Sequence, residues 1–313
     1  MTVLLQDIFE QSVDFLAQHD VFYGHGVELA EDEVVLLLMH VLKVDFNQLN
    51  RMSNQAIKTT QRNKIQQLLA QRVSQKIPMV YLVGFAVFAG LKFKVDKRVL
   101  IPRSPFVELI DVGFEPWLNL GKPSHVMDLG TGSGCIGLAI AYYFPHCTVD
   151  LVDVSPAALQ LARDNIKQLN SNSHLNLASR VQCIESDLFA AIKSKQNHRY
   201  DLIVANPPYV AEEEYQGLPS EYSHEPKMAL VSAKQGMEIP VKILLQAPEF
   251  MNESGFLFLE VGYNDQVLNN CFPKVPFEWL EFELGGQGIC VFNRDDLLKY
   301  RTEFKQFLES DVT

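Results

Sequence analysis

The chain has 313 residues, 47% hydrophobic and 21% charged, with a formal net charge of −11 and an isoelectric point near 5.2. This is globular composition, enough for one large domain and a smaller one. Its acidity disfavours indiscriminate binding to phosphate backbones and suits a basic protein partner.

No apolar run reaches the length of a membrane span, the longest being "VVLLLMHVL" and "GFLFLEVG". The start, "MTVLLQDIFEQ", lacks the basic segment and cleavage site of a signal peptide, so a cytoplasmic setting is expected. Cys135, Cys147, Cys183, Cys271 and Cys290 are scattered without a C-x-x-C pair, and the eight histidines show no ligand spacing. Neither a disulfide framework nor a metal site is expected.

In chain order, residues 1–78 read as a small helical domain. "LLQDIFEQSVDFLAQ" puts Leu5, Ile8, Phe9 and Leu16 on one face, and "EDEVVLLLMHVLKV" reads as a more buried helix. "NQAIKTTQRNKIQQLLAQRVSQKIP" aligns Ile65, Leu68, Leu69, Val73 and Ile77 and stops at Pro78. Residues 79–101, rich in Val, Phe and Tyr with Gly84 and Gly90 as punctuation, read as a β-hairpin linker.

Residues 102–313 alternate between the two periods. Strands are predicted at "HVMDL", "CTVDLVD", "RVQCI", "YDLIVA" and "GFLFLEV". Helices fall at "GCIGLAIAYYF", "SPAALQLARDNIKQLN", "DLFAAIK" and "MEIPVKILLQAPEFM". The alternation implies an α/β fold with a parallel sheet. The end differs: "PFEWLEFEL", a tight turn "GGQG" and "ICVFN" read as a hairpin that makes the last strand antiparallel. No internal repeat or low-complexity segment is visible.

Two motifs carry chemistry. "MDLGTGSGCIGLAI" is strand, glycine loop and helix, with Gly130, Gly132 and Gly134 spaced G-x-G-x-G and Thr131 and Ser133 between them. A dinucleotide site usually shows G-x-G-x-x-G, whose pyrophosphate sits on the helix N-terminus. S-adenosylmethionine has no phosphate, and Asp128 below the loop suits its cationic end. Asp153 closes the next strand, where an acid accepts ribose hydroxyls, and Asp187 with Leu188 suits an adenine edge.

The second motif is "VANPPYV". Proline cannot join a central ladder, so the strand ends at Ala205. Asn206 and Pro207 each precede a proline and are held extended. The Asn206 side-chain oxygen and the Pro207 carbonyl can then accept both hydrogens of one conjugated NH₂ group, with Pro208 shaping the pocket and Tyr209 against the group's flat face.

At these residues the sequence resembles the N-P-P-Y amino-methyltransferases on the class I S-adenosylmethionine-dependent fold, and among them the protein glutamine methyltransferases. The resemblance spans about residues 75–295, through "YLVGFAVFAGLKFKVDKRVLIPRSP", "VMDLGTGSGCIGLAIA", "VDVSPAALQLARDNI", "SDLF", "VANPPYV" and "HEPKMALVSAKQGME". It implies a Rossmann-like, mostly parallel seven-stranded sheet with an antiparallel last strand, and a helical domain that helps recognise substrate.

It also implies S-adenosylmethionine held by Gly130–Gly134, Asp153, Asp187, Leu188 and Asn206. Asn206, Pro207 and Tyr209 would be catalytic, with Pro208 also binding substrate. Ile101-Pro102-Arg103-Ser104-Pro105 is similar to the branch that methylates ribosomal protein L-three; relatives acting on release factors typically read "IPRPDT" there. A release factor is the alternative protein substrate, and an exocyclic amine of nucleic acid a more distant one, lacking a basic surface to support it. No membrane partner and no sequence-specific nucleic-acid contact is expected. Arg103, Glu225 and Pro226 match the family pattern without an assigned role.

Overall fold

A computed structural model describes residues 3–118, 123–171, 175–192 and 199–310. The N-terminal helices run Leu5–Ala17, Ala30–Leu42 and Thr59–Gln75. The first buries Leu5, Ile8 and Leu16, as its spacing predicts, and Asp7 accepts the Leu4 N–H at its start.

The third helix begins five residues later than its apolar period suggests. Residues 55–57 are drawn instead into pairing with the N-terminus, where Ile57 N–H donates to the Val3 carbonyl and Leu5 N–H to that of Gln55. A short helix, Met79–Val83, precedes the hairpin β1 (Phe85–Phe88) and β2 (Leu91–Lys94). The helical core extends into the rest of the chain, since Ala158 and Leu161 of the helix Pro156–Ser171 pack into it.

The central sheet contains β3 (His125–Leu129), β4 (Thr148–Asp153), β5 (Val181–Glu185), β6 (Tyr200–Ala205), β7 (Met251–Glu260), β8 (Glu278–Trp279) and β9 (Ile289–Asn293). Their order is β5-β4-β3-β6-β7-β9-β8. β3 to β7 are mutually parallel, and β9 is antiparallel to both neighbours. Both faces are covered: Leu202 and Val204 point into one core, Ile203 and Ala205 into the other. The strand order reverses between β3 and β6, and a crevice opens there at the carboxyl ends.

Two predicted elements differ. "DLFAAIK" forms a turn over Leu188–Ala191, while its Lys193 lies outside the described residues. "PFEWLEFEL" pairs only at Glu278 and Trp279, with Leu280 N–H reaching the Ile289 carbonyl. The residues before "GGQG" leave the sheet, because Glu108 accepts the N–H groups of Glu283 and Leu284 (2.8 and 2.9 Å). The connection is a broad loop, not a tight turn.

Candidate active site

The loop after β3 turns into the helix Cys135–Tyr143. Gly134 caps that helix at φ +83°, a left-handed position that favours glycine. Gly137 lies where a Cβ would stand 2.4 Å from Leu151 Cδ2 and 2.9 Å from Asp128, so helix and strand touch through it. The Gly130 and Thr131 N–H groups both donate to the Val152 carbonyl (2.8 and 2.9 Å).

The sequence places Asp128 against the cationic end of a ligand; the structure corrects this. Its Oδ2 is turned inward, accepting the Thr131 hydroxyl (2.6 Å) and the Gly137 N–H (2.8 Å), and Asp128 is absent from the cleft wall. Burial pushes its carboxyl up to about 6 against the pull of those two bonds. Asp128 organises the loop rather than facing the cleft.

The cleft has a volume of about 300 Å³. Gly130, Thr131, Gly132 and Ser133 line one side, Asp153, Asp187 and Leu188 another, and Asn206, Pro207 and Pro208 a third. Gly134 and Tyr209 are not on its wall. Asp153 is itself fixed: Oδ2 accepts the Gly132 N–H and Oδ1 the Ser155 N–H, both at 2.8 Å, and burial raises its carboxyl. Leu188 has φ +48° and is half-buried, next to the exposed Asp187.

Sheet register aligns the site. Leu129 pairs with Val152 and with Ala205, and Ala205 with Leu259. One step further along each strand stand Asp153, Gly130, Asn206 and Glu260, side by side along the carboxyl edge. Among the described residues, the half-buried Asn206 side-chain amide has no hydrogen-bond partner, and it follows directly on the buried run Leu202–Ala205. Tyr209 turns away from the cleft, its hydroxyl 2.7 Å from where a Cβ on Gly262 would be, and its carbonyl accepts the Asn264 side-chain N–H (2.7 Å).

Several residues at the site were missed by local reading. Glu260, 5% exposed, accepts the Ser104 hydroxyl at 2.5 Å, and burial pushes it up to about 7. Asn165 is fully buried; it donates to the Ser133 and Lys94 carbonyls and accepts the Lys94 N–H, tying glycine loop, hairpin and helix together. A polar residue between Leu161 and Leu169 on an apolar helix face was the signal for it.

Arg103 makes a bidentate pair with Glu225 (2.9 and 2.8 Å), which also accepts the Ile101 N–H. The adjacent Glu221 is met by Arg72 of the third helix (3.1 Å), whose Nε bonds Glu33 (2.9 Å). Arg72, Glu33 and Glu221 are all buried. This ionic chain fastens residues 220–229 to the helical region, and Pro226, Met228 and Ala229 of that strap line the cleft.

Residues 115–222 match the family model of the methyltransferase small domain, and residues 9–84 that of the PrmC N-terminal domain. The chain is 37% identical to the ribosomal protein uL3 glutamine methyltransferase of Francisella tularensis subsp. tularensis, over 97% of this chain and 95% of that one. It is 40% identical to the protein of the same name from Xanthomonas campestris pv. campestris, over 89% and 87%. Among solved structures, the hMettl16 catalytic domain in complex with MAT2A 3'UTR hairpin 1 is similar at TM-score 0.50 and 15% identity, covering 88% of this chain and 92% of that one. That likeness concerns the fold alone.

Proposed function

The chain belongs to the family of ribosomal protein uL3 glutamine methyltransferases, and we propose that it transfers a methyl group from S-adenosylmethionine to the side-chain amide nitrogen of one glutamine in that protein. The observation that carries the chemistry is the unpartnered Asn206 amide at the carboxyl end of β6, on the wall of the crevice. A half-buried amide on the wall of this cleft, unpartnered in the described chain, has its donors and acceptor free for a ligand.

The cleft fits the donor. Asp153 keeps lone pairs beyond its two backbone bonds for ribose hydroxyls, and the segment Ser186–Leu188 offers a polar and an apolar contact for adenine. The bound donor supplies an electrophilic methyl carbon; the remaining work falls to this chain. A glutamine amide nitrogen is a poor nucleophile because its lone pair is delocalised. The Asn206 oxygen and the Pro207 carbonyl accept its two N–H groups and aim the nitrogen at the methyl carbon. With the donor bound, methyl transfer from its sulfonium, which would leave as the neutral thioether, would place growing positive charge on the nitrogen, and both acceptors would stabilise it. One N–H proton then leaves to water. Pro208, on the cleft wall, closes the acceptor side, while the Tyr209 ring, turned away against Gly262, braces the segment from behind rather than lying on the amide's flat face. A cytoplasmic setting accords with a newly made ribosomal protein as substrate.

The test is incubation of the enzyme with labelled S-adenosylmethionine and either uL3 or a release factor. Label on a glutamine side chain of uL3 is expected. Label only in the release factor would redirect the substrate, and label in neither would overturn the reading.

A further inference from the structure

A second and larger depression, about 1060 Å³, lies along the flank of the sheet. Its walls are the helix Phe106–Asp111 and the residues after it, the end of the helix Cys135–Tyr143, the tip of the β1–β2 hairpin, and the segment Trp279–Leu284. Its size is at the upper limit of small-molecule sites. Five of its described lining residues are acidic and none is basic. Glu108 is engaged with backbone N–H groups. Asp111, Glu115, Glu281 and Glu283 are exposed and, among the described residues, take part in no ion pair or side-chain hydrogen bond. Between them the floor is aromatic, with Trp117, Tyr143, Trp279 and Phe282. The groove also exposes large apolar groups: Val112 is 53% exposed, Tyr143 46% and Leu284 78%.

This combination selects its occupant. Uncompensated carboxylates attract cations, and flat aromatic faces accept the stems and charged heads of lysine and arginine. A nucleic acid would be repelled. A neutral apolar helix would leave the four carboxylates facing a surface with nothing to offer them. Ribosomal proteins carry basic segments that neutralise RNA phosphates.

The groove and the cleft share no lining residue, but the chain runs directly from one to the other. Arg103 and Ser104 line the cleft, and Val107 and Glu108, one helical turn on, line the groove. The loop that forms the outer wall packs on Pro105, where a Cβ on Gly286 would lie 3.1 Å from the proline ring. A substrate whose glutamine sits at Asn206 can therefore be held by a second segment at this flank, a short run of chain away from the cleft wall.

Resting on the proposed activity, we infer that the groove bounded by Asp111, Glu115, Glu281 and Glu283 is a docking surface for a lysine- and arginine-rich segment of the substrate ribosomal protein, distant from the methylated glutamine. The groove supplies affinity and orientation while the cleft supplies chemistry. Because the four carboxylates are exposed and bond to nothing in the described chain, changing them leaves the fold and donor binding intact.

The experiment is steady-state methylation of uL3 by the full-length enzyme, with S-adenosylhomocysteine binding and thermal melting as controls. It compares wild type, the neutral set Asp111→Asn, Glu115→Gln, Glu281→Gln and Glu283→Gln, and the four corresponding changes to Lys. KM for uL3 is expected to rise by about tenfold or more in the Lys set and by less in the neutral set. kcat at saturation and S-adenosylhomocysteine binding should stay unchanged. The wild-type kcat/KM should fall with added salt, and that of the neutral set should fall less.

An unchanged KM in a Lys variant that melts and binds S-adenosylhomocysteine normally would overturn the proposal, with the activity itself still standing. So would a variant altered only in self-association, measured by sedimentation. Failure of the wild type to methylate uL3 would overturn both the activity and this groove.

Discussion

The two sides of the crevice treat their polar groups in opposite ways. On the donor side the two acids flanking the glycine loop are occupied from within: Asp128 holds Thr131 and Gly137, and Asp153 holds Gly132 and Ser155. On the acceptor side the Asn206 amide bonds to nothing in the described chain, while its surroundings are held from a distance. The strap at 220–229 is fixed by Arg72 from the helical region, and Glu260 by Ser104. A methyl donor of fixed shape is met by a site finished before it arrives. A protein side chain enters a site whose key acceptor is left open and whose frame is borrowed from a second region.

The largest effect should come from breaking the borrowed frame. Arg72→Met would leave Glu33 and Glu221 buried without their cation, a loss of about 3–5 kcal/mol. Denaturant unfolding should show it. A variant within 1 kcal/mol of wild type would mean that the strap stands without the helical region. The same ionic chain means that removing residues 1–75 would strip the cation from the buried Glu221, so point changes are the cleaner probe of the helical region.

Breaking the donor side comes next. Asp128→Ala strands the Thr131 hydroxyl and the Gly137 N–H in the core, each unsatisfied group costing about 1–3 kcal/mol. The variant should melt earlier and bind S-adenosylhomocysteine more weakly, although Asp128 does not line the cleft. Unaltered donor binding in a destabilised variant would show that the loop keeps its shape without its carboxylate.

The third effect separates the sides by pH. Burial raises the Glu260 carboxyl from 4.5 to about 7, so the folded state binds its proton more tightly than the unfolded chain does. Its contribution to stability is therefore fully present below about pH 4.5 and is lost as pH rises through about 7. The shift corresponds to about 3 kcal/mol at most. Glu260→Gln keeps an oxygen for Ser104 and should flatten the stability profile between pH 5 and 8. An equal slope in wild type and variant, read by chemical denaturation at several pH values, would place the titration elsewhere.

How much of this could be read beforehand follows from sequence distance. The five parallel strands, the glycine loop and Asn206-Pro207-Pro208-Tyr209 are local signals, a few residues long, and the structure gathers Gly130, Asp153, Asp187 and Asn206 around one cleft. The frame was invisible because its partners are remote: Arg72 to Glu33 spans 39 positions, Arg72 to Glu221 149, and Ser104 to Glu260 156. Asp128 was misjudged for a different reason. An acid at a strand end reads the same whether its carboxylate faces a ligand or the backbone above it, and only the close approach at Gly137 decides. The strand expected through "PFEWLEFEL" shortened because residues with strand propensity form one only where a neighbour offers hydrogen bonds, and past Leu280 the neighbour is Glu108.

The most direct measurement of the contrast between a finished donor side and an open acceptor side uses Asn206→Ala. S-adenosylhomocysteine affinity by calorimetry and single-turnover methylation of uL3 at saturating donor are compared with wild type. Affinity within a few-fold of wild type, together with a transfer rate reduced about a hundredfold or more, is the predicted result. Near-normal transfer would contradict the claim that this amide grips the reacting nitrogen.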